Sequence, residues 1–74
     1  MNNNRRKEIK NITNNISKII DLLNDVLASE EESFENMPEG IQASDNGIAS
    51  EEAQDALNEA ICMLEEAIEC LSEI

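Results

Sequence analysis

Apolar residues recur along the first third of this chain at intervals of three and four: Ile9, Ile12, Ile16, Ile19, Leu23 and Val26. That spacing sets them in one stripe of an α-helix. Ile20, Leu22 and Leu27 widen the stripe beyond the two-per-heptad seam of a simple coiled coil, to the breadth of a helix that touches more than one neighbour. The pattern runs on through Ala28 and Glu30-Glu31-Glu32 to Phe34, seven residues beyond Leu27. It predicts a first helix over about residues 3–36.

The last third is a seven-residue block written three times, opening at Glu52, Glu59 and Glu66, with Glu73 starting a fourth. A strict heptad of apolar positions holds one seam of a helix against a partner over several turns. Here the seam is Leu57, Ile61, Leu64, Ile68 and Leu71, flanked by Ala53, Ala60 and Ala67, whose small size permits close approach. The expected helix spans about residues 48–73, with Ser50 as a candidate N-cap and Glu51 and Glu52 near the positive end of its dipole.

Between the two lies a corner, expected over about residues 37–47. Asn36-Met37-Pro38-Glu39 reads as a helix start, with a capping residue, an early proline and a carboxylate three residues after the cap. Ser44-Asp45-Asn46-Gly47 reads as a break that favours left-handed backbone. A connection this short lays the flanking helices side by side, so the expected fold is all-α: a single domain over residues 1–74, formed as an antiparallel two-helix hairpin with a short helical corner.

Composition bears on how such a hairpin is stabilised. A single core in a 74-residue chain supplies only about 3–5 kcal/mol, and small chains usually add disulfides, a metal or further copies. The sequence has no histidine, and its two cysteines, Cys62 and Cys70, stand roughly 12 Å apart if they share one helix, too far for a bridge. Two free thiols fit a reducing cytosol. The expected state is therefore a homo-oligomer, a dimer first, forming a four-helix bundle or larger assembly. Its expected interface is Ile9, Ile12, Ile16, Ile19, Ile20, Leu23, Val26, Leu27, Leu57, Ile61, Leu64, Ile68 and Leu71. The N-terminal residues do not resemble a signal peptide, and no apolar run approaches the ~20 residues that span a bilayer. The expected location is the cytoplasm, with no membrane contact.

Charge is divided along the chain. Arg5, Arg6, Lys7, Lys10 and Lys18 all precede Asp21, where they meet a single acid, Glu8; from Asp21 onward there are 16 acids and no base, for a total of −12. Folding the chain back would set the basic N-terminus beside Glu65, Glu66, Glu69 and Glu73, and so favour the antiparallel orientation. The corner has no such compensation. Glu30, Glu31, Glu32, Glu35, Glu39, Asp45, Glu51, Glu52 and Asp55 surround it, forming a candidate contact for a basic-surfaced protein as well as a solvated tip. Direct nucleic-acid binding is not expected of a chain this acidic, with Phe34 its one aromatic residue.

The chain shows no signs of catalytic or metal chemistry. A calcium loop with Gly47 at its sixth position would start at Gln42 and end at Ala53, so it lacks the required Asp and Glu. The glutamates at helical spacing have no histidine partner for a two-metal bundle site. No cofactor is expected, and an enzyme is not.

The corner Asn36-Met37-Pro38-Glu39-Gly40-Ile41-Gln42, then Ser44 and Gly47, then the Glu-Glu-Ala and Glu-Ala-Ile repeats, resembles small helical-hairpin proteins of phages and prophages of Gram-positive bacteria. The resemblance covers about residues 30–74. It implies a phage origin and, because small acidic phage proteins often bind and block host proteins, a modulator of a host factor acting through the acidic corner. The runner-up reading of the residues is a self-assembling structural coiled coil, with a bundle that holds a small molecule between subunits a third.

Overall fold

In the computed structural model, which describes residues 1–74, the chain forms three helices and no strand: α1 (Asn3–Glu35), α2 (Glu39–Gln42) and α3 (Asp45–Ser72). Helices α1 and α3 pack along their length as a hairpin 58 Å long and 15 by 12 Å across. None of the helices is long and apolar enough to cross a membrane.

Helix α1 begins at Asn2, whose extended backbone lets its side-chain oxygen accept from the Arg5 N–H at 2.8 Å. This cap satisfies one orphan donor of the first turn, where the basic residues themselves oppose the helix dipole. At the other end Asn36 closes α1 instead of opening a new helix. Its backbone is still right-handed helical (φ −82°, ψ −6°), and its N–H donates to the Glu32 carbonyl at 3.0 Å. A capping side chain needs an extended backbone, so the capping box expected from Asn36 and Glu39 does not form. Pro38 takes the cap position of α2, its carbonyl accepting from Ile41 and Gln42 N–H at 2.8 and 3.0 Å.

The corner is tighter than the sequence suggests. No residue has a positive φ, and α3 starts at Asp45 and runs through Asn46-Gly47. Ser44 is extended at the cap position, but its hydroxyl donates back to the Ile41 carbonyl. Ser50, the expected cap, lies buried inside α3 and accepts from Gln54 Nε2 at 3.3 Å. Gly47 is needed for proximity: a β-carbon there would overlap the Gln42 carbonyl. The Gln42 side chain in turn donates to the carbonyls of Phe34 and Met37 at 3.0 and 3.1 Å, joining the Met37 N–H on the Phe34 carbonyl at the end of α1.

Burial along the two long helices alternates in steps of four and three. On α1 it follows Ile9, Thr13, Ile16, Ile20, Leu23, Leu27, Glu30 and Phe34; on α3 it follows Gly47, Ser50, Gln54, Leu57, Ile61, Leu64, Ile68 and Leu71. This is a heptad seam across a helix pair. Ile20, Leu27 and Ile61 are its buried centre, with Ile16, Leu23, Leu57, Leu64 and Ile68 packed around them. Thr13 fits the seam because its hydroxyl donates to the Ile9 carbonyl at 2.9 Å.

The single stripe expected on α1 separates into two. Ile12, Ile19 and Val26 stand outside the seam, 52, 47 and 54% exposed. Two runs with three-four spacing share Ile9, Ile16 and Leu23. Only the run through Ile20 and Leu27 continues to Phe34, half-buried at the corner, and that run faces α3.

Candidate functional site

Two open grooves show which flanks of α1 and α3 share a side of the hairpin. One is lined by Ser17, Ile20, Asp21, Glu65, Ile68 and Glu69; the other brings Lys10 and Asn14 to Leu71, Ser72 and Ile74. Residues immediately following seam positions therefore meet on one side. In an antiparallel pair, the residues that precede the seam on each helix then share the opposite side. The same groove sets the level along the rod: it brings residues 17–21 of α1 against residues 65–69 of α3, which puts Ile19 at about the level of Ala67 and, one heptad on, Val26 at about that of Ala60.

The two sides differ in chemistry. On the groove side and its outer edge lie the acids Asp21, Asp25, Glu31, Glu35, Glu51, Asp55, Glu65 and Glu69. The opposite side carries Ile12, Asn15, Ile19, Leu22, Val26, Ser29 and Ser33 from α1, and Ala49, Ala53, Ala56, Ala60, Met63, Ala67 and Cys70 from α3. Not one of these is charged, in a chain with 22 charged residues; the same side of α1 carries charge only in its first turns, at Arg5 and Glu8. Leu22 is 63% exposed and Met63 58%. Ala60 and Ala67 are half-buried beneath the larger side chains of α1, so the face is a ridge of isoleucine, leucine and valine beside a furrow of alanine.

The expected interface residues thus fall into two groups. Ile9, Ile16, Ile20, Leu23, Leu27, Leu57, Ile61, Leu64, Ile68 and Leu71 lie in the seam within the chain, whereas Ile12, Ile19 and Val26 belong to the uncharged face. Leu22, which widens the apolar stripe of α1, joins that face, as do Met63, Ala56 and Cys70, which apolar spacing does not single out. The signal that finds them is the absence of charge at the positions of the same heptad phase beyond the first turns of α1, where Arg5 and Glu8 occupy it.

The acidic corner residues gather at the hairpin tip. Glu30 is half-buried in the seam, while Glu31, Glu32, Glu35, Glu39, Asp45, Glu51, Glu52 and Asp55 are exposed. At the open end, Arg6 and Lys10 share their groove with Leu71, Ser72 and Ile74, and none of Glu65, Glu66, Glu69 and Glu73 lines it. Cys62 and Cys70 are free and exposed. The structure groups no set of three or more Cys, Asp or Glu in a way that could hold a metal ion.

Comparison with protein families, with curated proteins and with solved structures finds no match for this chain.

Proposed function

We propose that this chain is a non-enzymatic protein–protein interaction module whose working surface is the uncharged face of the hairpin. The observation that supports this reading is the exposed row of Ile12, Ile19, Leu22 and Val26 on a side that carries no charge beyond Arg5 and Glu8 at the start of α1. Apolar side chains scattered singly over a surface need no explanation, but a contiguous uncharged face on a protein this polar marks a contact. A photoreactive side chain placed at Leu22 should form adducts with polypeptide in the cells that make the protein, and one placed at Asp25 should not. Equal labelling at the two positions, or none at Leu22, would reject the proposal.

A second contact is favoured by where the charge lies. The half of the rod nearest the corner, residues 21–64, holds 12 acids and no base, while the other half holds five of each. A tip so charged steers toward a basic surface, and a phage-encoded modulator of a basic-surfaced host protein is the setting we propose for it. Its association rate should fall as salt rises from about 50 to 500 mM, since the Debye length shortens well below 10 Å over that range. A rate indifferent to salt would remove the tip from the mechanism.

A further inference from the structure

We infer that the uncharged face is covered by a second copy of this chain, turned end for end about a two-fold axis that passes beside Ile19. This rests on the proposed role of the face and adds its occupant and the pairing.

Surface area gives the first argument. The chain exposes 5621 Å², whereas a compact monomer of its 8.2 kDa exposes about 4,500 Å². The excess, about 1,100 Å², exceeds the ~800 Å² that each partner buries in a standard stable interface. No side chain of the single hairpin is fully enclosed. The hairpin has surface to cover, in the amount a dimer covers.

The pattern of the face gives the second. A two-fold interface must complement itself, each residue meeting its symmetry mate or exchanging partners with another. Ile12 and Val26 each lie seven residues from Ile19. When α1 packs antiparallel on its own copy about Ile19, Ile19 meets its mate, and Ile12 meets Val26 in both directions. Ala67, level with Ile19, meets its own mate on the α3 side, where the alanine furrow lets the two helices close together.

Charge chooses between the two ways of pairing the faces. With both tips at one end, two ends of charge −12 would lie side by side, about one helix diameter (~10 Å) apart. End for end, each tip lies beside the neutral half of its partner. The tips are then roughly 50 Å apart at 1.5 Å per residue, several Debye lengths at physiological salt. A lipid surface fits less well, because helices that lie on membranes carry a basic polar face and this one is acidic.

The test uses the full chain with Cys62→Ser and Cys70→Ser, and Ile19→Cys added. Sedimentation of the unmodified protein should give twice the 8.2 kDa chain mass. Mild oxidation should link Ile19→Cys to itself, and should link Ile12→Cys to Val26→Cys when the two are mixed, with at least tenfold less product from either alone. Leu22→Glu, at an exposed site, should keep its helical circular dichroism and raise the dimer dissociation constant at least 100-fold. A monomer at 200 µM would overturn the pairing. So would efficient linkage of Ile19→Cys to Ala67→Cys with none between two copies of Ile19→Cys, since that is the arrangement with both tips together. If the protein sediments as a monomer while a photoreactive Leu22 labels a different polypeptide, this inference fails and the interaction role of the face stands.

Discussion

Gly47 lies against the backbone of Gln42 so closely that no side chain fits between them. This contact lets α3 begin immediately after the corner, and it reverses the usual effect of an alanine. In an ordinary helix interior, Gly→Ala gains about 1 kcal/mol. Gly47→Ala should instead destabilise by about 1–3 kcal/mol, the cost of forcing packed backbone apart. Gly40, with nothing within 4 Å of its would-be β-carbon and no left-handed backbone, is the control: Gly40→Ala should stabilise by about 0.5–1 kcal/mol. Thermal melting of the two variants should move in opposite directions.

Gln42 itself ties the corner to the end of α1 through its two donated hydrogen bonds. Gln42→Leu should cost about 1–2 kcal/mol, near 1 kcal/mol for each bond lost. Gln42→Glu should cost more, because it turns a donor to two carbonyls into an acceptor and adds a charge to an acidic tip. Urea midpoints falling in the order wild type, Leu, Glu would bear this out.

Neighbouring positions on α3 should differ sharply. Ile61 is 6% exposed at the centre of the seam, while Cys62 points outward. Ile61→Ala should cost about 2–4 kcal/mol, most of the ~3–5 kcal/mol that a core of this size provides. Cys62→Ser should stay within about 0.5 kcal/mol. Melting by circular dichroism at one fixed concentration separates the two.

The crowded tip should make the fold stiffen with salt. Screening the repulsion among Glu31, Glu32, Glu35, Glu51 and their neighbours should raise the melting temperature between 10 mM and 0.5 M NaCl. A rise of roughly 4–8 °C corresponds to about 1 kcal/mol in a chain this short. With Glu31→Gln and Glu35→Gln together, the rise should shrink.

Both long helices and their antiparallel pairing were legible in the sequence, because three-four spacing is a direct image of helical geometry. The phase of α1 was not. Ile9, Ile16 and Leu23 belong to two overlapping runs, and apolar spacing alone gives Ile19 and Ile20 equal claim to the core. The seam on α3 also extends past Leu57 into Gln54, Ser50 and Gly47, polar or bare positions that a search for apolar residues passes over. At the corner local preference yields to packing: Asn46-Gly47 favours a turn in isolation, but Gly47 lies within α3, against the backbone of Gln42. The uncharged face shows in the sequence as heptad positions that carry no charge from Ile12 onward, not as a run of apolar residues.

Pro38 has a consequence for how copies of the chain can combine. Many hairpins dimerise by straightening their connection and exchanging arms, which requires the linker to be ironed into one continuous helix. A proline there has no N–H to give to the fourth residue before it, and its ring crowds that residue's carbonyl, which is Phe34's. That carbonyl is already taken by Gln42. Opening the joint would forfeit this bond and gain a kink, so arm exchange is disfavoured and any partnership must form between hairpins that stay closed.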